Sequence, residues 1–271
     1  MVRIFGPLVG LFFAAALVWS FALGGMSMMT DPEPSTAVKT FHLAPKDEHF
    51  TFDGPFGTFD KAQLQRGFQV YKEVCSNCHA LKQIAFRNLA DLGYSPAEVK
   101  AIAANWATKA KTFDPKTGDA GERPNTPADH IPPVYYAGTG NPPDLSLITK
   151  ARHEGPQYVY SLLTGYTAQP AELLKTFPDA KTPDGLYYNP YFANLNIAMP
   201  APLTTDGQVT YSDGTKATVG QMAKDVAAFL TWTAEPKLEK RRQTGWAVLG
   251  FLLAATALAY LAKRQVWADV H

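Results

Sequence analysis

Residues 75 to 79 read Cys-Ser-Asn-Cys-His and contain every cysteine of the chain, so two thiols and an imidazole fall within five positions. That spacing suits covalent attachment of a c-type haem. Cys75 and Cys78 would each add to one vinyl group, and His79 would present its imidazole to the iron. A redox-active Cys-x-x-Cys has no use for His79 and would sit after a strand. A structural zinc site wants four ligands, and the chain has no second cysteine pair to supply them. One haem c on Cys75, Cys78 and His79 is the expectation.

An iron held by His79 needs either a sixth ligand or an open position, and that choice separates electron transfer from ligand chemistry. The thioether candidates are Met199 and Met222, because Met26, Met28 and Met29 adjoin an apolar run. Met222 lies on a helical apolar stripe, where methionine is usually core filler. Met199 sits in Ile197-Ala198-Met199-Pro200-Ala201-Pro202, irregular backbone that can hold a side chain rigidly, and is the expected sixth ligand. His42, His49, His130 and His153 compete as nitrogen donors, each more commonly a surface or hydrogen-bonded histidine. A thioether favours reduced iron, which suits an acceptor fed by a high-potential donor.

The elements that must position these groups are mainly helical. Asp60 with Gln63 three residues on reads as a capping box, and Leu64, Phe68, Tyr71 and Val74 then share one face up to Cys75. A second helix starts at Thr218 with Gln221 and stripes Val219, Met222, Val226, Phe229 and Leu230. Pro156 and Gly165 frame a short helix through Tyr158 and Leu162, and another is expected from Pro96 to Lys109. No period-2 strand pattern stands out. Seven prolines between Phe113 and Asp144 predict an ordered wrapping loop rather than helix or sheet.

Two runs lack charge: Ile4 to Gly25, long enough for the ~20 residues a membrane helix needs, and Gly245 to Ala262, close to that length. Residues 1–25 therefore read as a signal-anchor or signal peptide. The apolar run exceeds the about 7 to 15 residues of a cleaved leader, which favours the anchor. Arg3 before the first run, with Asp31 and Glu33 after it, predicts export of residues 31–236. Residues 245–262 form the C-terminal transmembrane helix, and residues 263–271 a cytoplasmic tail. Residues 31–236 hold 18 Lys and Arg against 22 Asp and Glu, so the exported domain is mildly acidic. A basic protein partner suits that balance better than nucleic acid.

The chain resembles the cytochrome c1 family, the haem subunits of ubiquinol:cytochrome c oxidoreductase (the cytochrome bc1 complex), in their alphaproteobacterial form. The likeness runs from about Asp60 to Trp267. It is carried by Gln65-Arg66-Gly67-Phe68-Gln69-Val70-Tyr71 ahead of the haem motif, by Pro142-Pro143-Asp144-Leu145-Ser146 and by Ala151-Arg152-His153. Further blocks run from Tyr158 to Tyr166, from Gly185 to Phe192 and from Ala223 to Val226, and Ala234-Glu235-Pro236 leads into the last span.

The resemblance implies a cytochrome c-like haem domain, with Cys75 and Cys78 bonded to haem c and His79 and Met199 as axial ligands. It also implies that Arg152 pairs with a propionate, that Tyr158 donates a hydrogen bond nearby, and that Pro143, with Pro142, covers the haem. Tyr187, Tyr188, Tyr191 and Phe192 would line the pocket. The implied role is one-electron relay, from a Rieske iron-sulfur protein to a c-type cytochrome, with no catalytic acid, base or nucleophile. The implied setting is the bacterial inner membrane, with a periplasmic haem domain, a cytochrome b subunit, surrounding lipid and a dimeric complex. A membrane-anchored carrier acting alone is the alternative. The chain departs from the family in its short 132–141 loop. It also lacks any extra disulfide, so the insertion from Ala168 to Asp184 must be fixed by packing or stay mobile.

Overall fold

The computed structural model describes residues 2–30, 36–138 and 140–269. Asp31 and Glu33, which carried the orientation expectation, lie outside the described residues, as do Thr139 of the short loop and the last two residues of the tail. Eight helices appear among the described residues: α1 Val2–Thr30, α2 Ala37–Phe41, α3 Lys61–Glu73, α4 Pro96–Ala104, α5 Gly155–Leu163, α6 Ala171–Thr176, α7 Val219–Ala234 and α8 Leu238–Val266. Two small antiparallel hairpins accompany them, β1 Ala110–Phe113 with β2 Ala120–Arg123, and β3 Tyr187–Tyr188 with β4 Asn196–Ile197. The expected mainly helical architecture is the observed one. Within α1 the run Phe5–Met26 is long and apolar enough to cross a membrane, and so is α8.

Helix α3 begins where its capping residue predicts, with the Asp60 carboxylate accepting from Ala62 N. The reciprocal half of the box is absent, because Gln63 is buried instead of reaching back. Leu64, Phe68 and Tyr71 are buried as the stripe requires, and α3 packs across α7. Gly67 is the contact point. A Cβ there would overlap the Asp225 carbonyl and come within 2.7 Å of the Phe229 Cβ. That approach lets Arg66 reach the fully buried Asp225 carboxylate at 3.0 Å, while Gln221 donates to the same group at 2.8 Å. Phe68, Tyr71, Trp106, Phe229 and Trp232 stack through the core beside this crossing.

Helix α4 stops at Ala104, five residues before the expected end. Asn105 caps it, and the chain then turns Trp106 inward onto Phe68 and Phe86. The β1–β2 hairpin follows, with Ala110 opposite Arg123 and Phe113 opposite Ala120. Both strands are largely exposed, so neither face carries the alternation that would have announced them. The hairpin thus corrects the expectation of a loop without sheet over Phe113 to Asp144, because β2 lies inside that span, and beyond it the described residues of the proline-rich stretch are irregular. Phe86 N bonds Asp129 O, Arg87 N bonds Pro127 O and Ile131 N bonds Ile84 O, so the stretch runs along residues 84–87.

The 168–184 insertion is fixed by packing. Leu173 is fully buried against Tyr188 and Leu195, with Phe41 and Ala180 at the edge. Gln169 ties its two ends, donating to Ala180 O at 2.6 Å and accepting from Thr182 N at 3.0 Å.

Substituting Gly67→Ala forces α3 and α7 apart, and overpacking of this kind costs about 1–3 kcal/mol. Thermal unfolding of the purified variant should therefore show a lower midpoint than the parent protein.

Candidate functional site

Helix α3 ends at the Cys75–Asn77 turn, a single 3-10 turn closed by Cys78 N and His79 N bonding Cys75 O at 3.1 and 2.9 Å. This turn brings both thiols and the imidazole to one end of the helix. Cys75 and Cys78 are free and half-buried, and Cys75 packs on the edge of the main core. Burial and the neighbouring Cys78 push the Cys75 thiol up to about 12. A thiol so held stays protonated near neutral pH, the reverse of the activated thiolate that an exchange-active Cys-x-x-Cys needs.

His79 is oriented from outside its own turn. Its Nδ1 lies 2.8 Å from the Pro143 carbonyl oxygen, which can only accept, so Nδ1 carries the proton and Nε2 keeps its lone pair. A ligating histidine almost always has such a partner on its other nitrogen. Burial lowers the imidazole pKa, against opposing pulls from the Pro143 bond and the Asp144 carboxylate. Tyr71 fixes the backbone behind the ring by donating to His79 O at 2.9 Å.

Pro143 is held in turn by the segment that follows it. Asp144 accepts from Lys82 N at 2.8 Å and from Ser146 N at 2.9 Å, and Leu145 N bonds Ala80 O at 2.9 Å. Thr233 of α7 donates to Ser146 O at 3.3 Å. The proline pair, expected only as cover, therefore also supplies the acceptor that sets the histidine.

On the other side, Met199 lies two residues past the end of β4. Tyr187 pairs with Ile197 and Tyr188 with Asn196, closing a tight loop with Leu195 at φ 66°. The fully buried Asn189 locks this loop, accepting from Tyr191 N at 3.1 Å and donating to Leu162 O of α5 at 2.8 Å. Tyr166, just past α5, donates its hydroxyl to the Met199 carbonyl at 3.0 Å. Burial and the adjacent Tyr158 and Tyr187 raise its pKa, so it remains a donor. The two sides meet where a Cβ on Gly140 would lie 3.9 Å from the Ala198 Cβ, beside Met199.

Arg152 and Tyr158 stand at the start of α5. Gly155 makes their turn possible, because any side chain there would collide with the Thr149 carbonyl. The Arg152 guanidinium lies 6.0 Å from the Tyr158 ring centre and bonds its neighbour's carbonyl, Ala151 O, at 3.0 Å. Among the described residues it forms no ion pair with a carboxylate.

Met222 is fully buried in the core, and His42, His49, His130 and His153 are exposed. Of the aromatic group, Tyr188 is buried with Leu173 and Leu195, and Tyr191 packs on Gly165. Tyr71, Asp144, Tyr166 and Asn189 have positioning roles that the sequence did not announce.

The donor set fits a covalent c-type haem. It offers two free thiols at the right spacing, an imidazole with Nε2 available, a methionine whose backbone carbonyl is held by Tyr166, and a guanidinium with no carboxylate partner among the described residues. A model of the Cytochrome C1 family matches residues 50–270. The chain belongs to that family. It is 46% identical over 250 residues to the "Cytochrome b/c1" of Bradyrhizobium diazoefficiens, covering 84% of this chain and 36% of that protein. Over 245 residues it is 44% identical to the "Cytochrome c1" of Rhodospirillum rubrum, covering 82% of this chain and 87% of the relative. It is also 41% identical over 239 residues to the "Cytochrome b-c1 complex catalytic subunit, mitochondrial" of Candida albicans, covering 84% and 79%. As a cytochrome c1 family member the chain is an electron-transport haem protein.

The Tyr166→Phe variant leaves the part-buried Met199 carbonyl without its donor, a loss of about 0.5–1.5 kcal/mol. Denaturant unfolding of the haem-loaded variant is expected to show that loss as a lower midpoint with an unchanged slope.

Proposed function

We propose that this chain is the haem-bearing electron-transfer subunit of a quinol:cytochrome c reductase, accepting one electron at a time from a Rieske iron-sulfur protein and passing it to a c-type cytochrome. The observation that carries the reading is the His79–Pro143 bond at 2.8 Å, which orients the imidazole at the end of the Cys75–Cys78 turn and leaves Nε2 available to an iron. A bound haem c supplies a one-electron iron couple; the protein supplies its ligands and surroundings.

In this reading Cys75 and Cys78 would tether the group covalently, and His79 and Met199 would hold its iron through nitrogen and sulfur. The guanidinium of Arg152, always charged and forked to suit a carboxylate, offsets a propionate charge, with Tyr158 beside it. Pro143 contributes twice, covering the group and holding His79. No side chain acts as acid, base or nucleophile, and quinol oxidation belongs to a cytochrome b partner.

The same reading sets the topology. Residues 31–236 form the periplasmic domain, 245–262 the membrane-embedded part of α8, and 263–271 a cytoplasmic tail in the bacterial inner membrane. Residues 1–25 form a second membrane segment, retained as a signal-anchor. Lys237, Lys240, Arg241 and Arg242 before the apolar part of α8 and Lys263 and Arg264 after it mark the two ends of the span without orienting it, and the orientation rests on Arg3 before the first run with Asp31 and Glu33 after it. The mildly acidic domain suits a basic cytochrome acceptor, and the complex is expected to be dimeric.

Gentle detergent purification of the tagged chain from its own membranes, followed by a reduced-minus-oxidised visible spectrum, tests the assignment. A c-type band together with b-type bands and inhibitor-sensitive quinol oxidation is the expected result. A lone c-type band in several mild detergents would instead leave a membrane-anchored carrier acting alone.

A further inference from the structure

The segment Phe50–Phe59 folds back on itself beside the start of α8. Its base belongs to the domain core: Phe50 and Phe52 are buried and stacked at 5.0 Å, and Phe59 packs on Phe52 at 5.1 Å. Thr58 N bonds Thr51 O, and the Asp53 carboxylate accepts from Phe50 N at 2.8 Å. The base is also clamped to α8. Glu239 accepts from Phe59 N at 2.8 Å, and the Arg242 guanidinium donates to Phe52 O at 2.9 Å and to Gly57 O at 2.8 Å.

The tip behaves differently. Gly54-Pro55-Phe56-Gly57 carries no charged or hydrogen-bonding side chain, and Phe56 is 78% exposed. Its ring lies flat on Trp246 of α8, with centres 5.2 Å apart and planes 10° from parallel, and Trp246 is itself 49% exposed. Trp246 stands one turn beyond Arg242, about 6 Å further along the helix axis. It is the second residue of the charge-free run 245–262.

An exposed Phe on an exposed Trp leaves a large apolar face open to the surroundings, which a water-facing loop would not favour. The order along α8 explains it. Cations at Lys240, Arg241 and Arg242 come first, the aromatic pair next and the apolar run after, which is the order of groups through a bilayer's headgroup region into its hydrocarbon.

We propose that the 54–57 tip is a second membrane contact of the exported domain, with Phe56 and Trp246 seated together at the headgroup–acyl boundary of the lipid bilayer. The inference rests on α8 spanning the membrane, as in the proposed function. It adds that the domain does not pivot on one helix. The Arg242 and Glu239 bonds make loop and helix one rigid unit with two points in the lipid, which fixes the tilt of the domain. Lipid suits the tip better than a protein partner, because the tip is continuous with the membrane helix and offers no polar side chain for specific recognition.

In the haem-loaded protein Cys75 and Cys78 would be tethered, so an introduced thiol would be the one reactive thiol of this chain, and labelling of the parent complex gives the background to subtract. Phe56→Cys, Leu253→Cys and Lys116→Cys variants of the full complex are labelled with bimane. They are then placed in nanodiscs of phosphatidylcholine and phosphatidylglycerol with or without brominated acyl chains, with Pro55→Cys as a second tip position. Bromolipid should cause loss of emission at 56 and at 253 but not at 116, while aqueous iodide should quench 116 most. Quenching at 56 by iodide alone would overturn the proposal, and so would protection at 56 from both quenchers, which would mark a protein subunit over the tip. Quenching of 253 by iodide in place of bromolipid would overturn the membrane reading of α8 and the proposal with it.

Discussion

Helices α3 and α7 cross with the Gly67 backbone against the Asp225 carbonyl, and both sides of the haem site hang from that crossing. From the end of α3 comes the Cys75–His79 turn. From α7 come Thr233, which binds the Ser146 carbonyl behind Pro143, and the core face on which α5 packs. The crossing tolerates nothing larger than glycine at position 67, and it buries a carboxylate that only the Arg66 and Gln221 pairing makes affordable. A buried ion pair of this kind adds little net stability, while breaking one is strongly destabilising because it leaves an uncompensated charge. Its consequence is geometric: with Arg66 and Asp225 in register, α3 has one position along α7.

Rigidity of that origin serves electron transfer. The groups assigned to the iron are restrained through their backbone or second nitrogen, not by direct side-chain packing alone. Pro143 sets the His79 ring, Tyr71 its carbonyl, Tyr166 the Met199 carbonyl, and Asn189 the loop that delivers Met199. Each of these restraints is anchored on α3, α5 or α7 or on the segments packed against them, so ligand positions are shared properties of the core. The buried Cys75 thiol, its pKa raised by that burial, is a poor exchange nucleophile.

What the sequence disclosed followed from locality. The Cys-x-x-Cys-His spacing, the caps at Asp60 and Thr218, the apolar stripes of α3 and α7 and the two charge-free runs each lie within a short window. Met199 emerged by contrast with Met222, and its proline-rich setting placed it correctly outside a helix. The restraints did not emerge, because Pro143 to His79, Tyr166 to Met199 and Asn189 to Leu162 join residues 64, 33 and 27 apart through backbone carbonyls, which carry no residue-specific signal. The β1–β2 hairpin escaped for a different reason: exposed on both faces, it needs no hydrophobic alternation. The overlong expectation for α4 failed at Trp106, where burial of an indole in the aromatic core outweighed continued helix.

The central claim is that His79 and Met199 together hold the iron, and near-infrared magnetic circular dichroism of the oxidised protein tests it most directly, since the position of its charge-transfer band depends on the axial ligand pair. The account predicts the histidine–methionine signature in the parent protein and its loss in Met199→Ala. A bis-histidine signature, or a high-spin spectrum showing an open position in the parent protein, would contradict it.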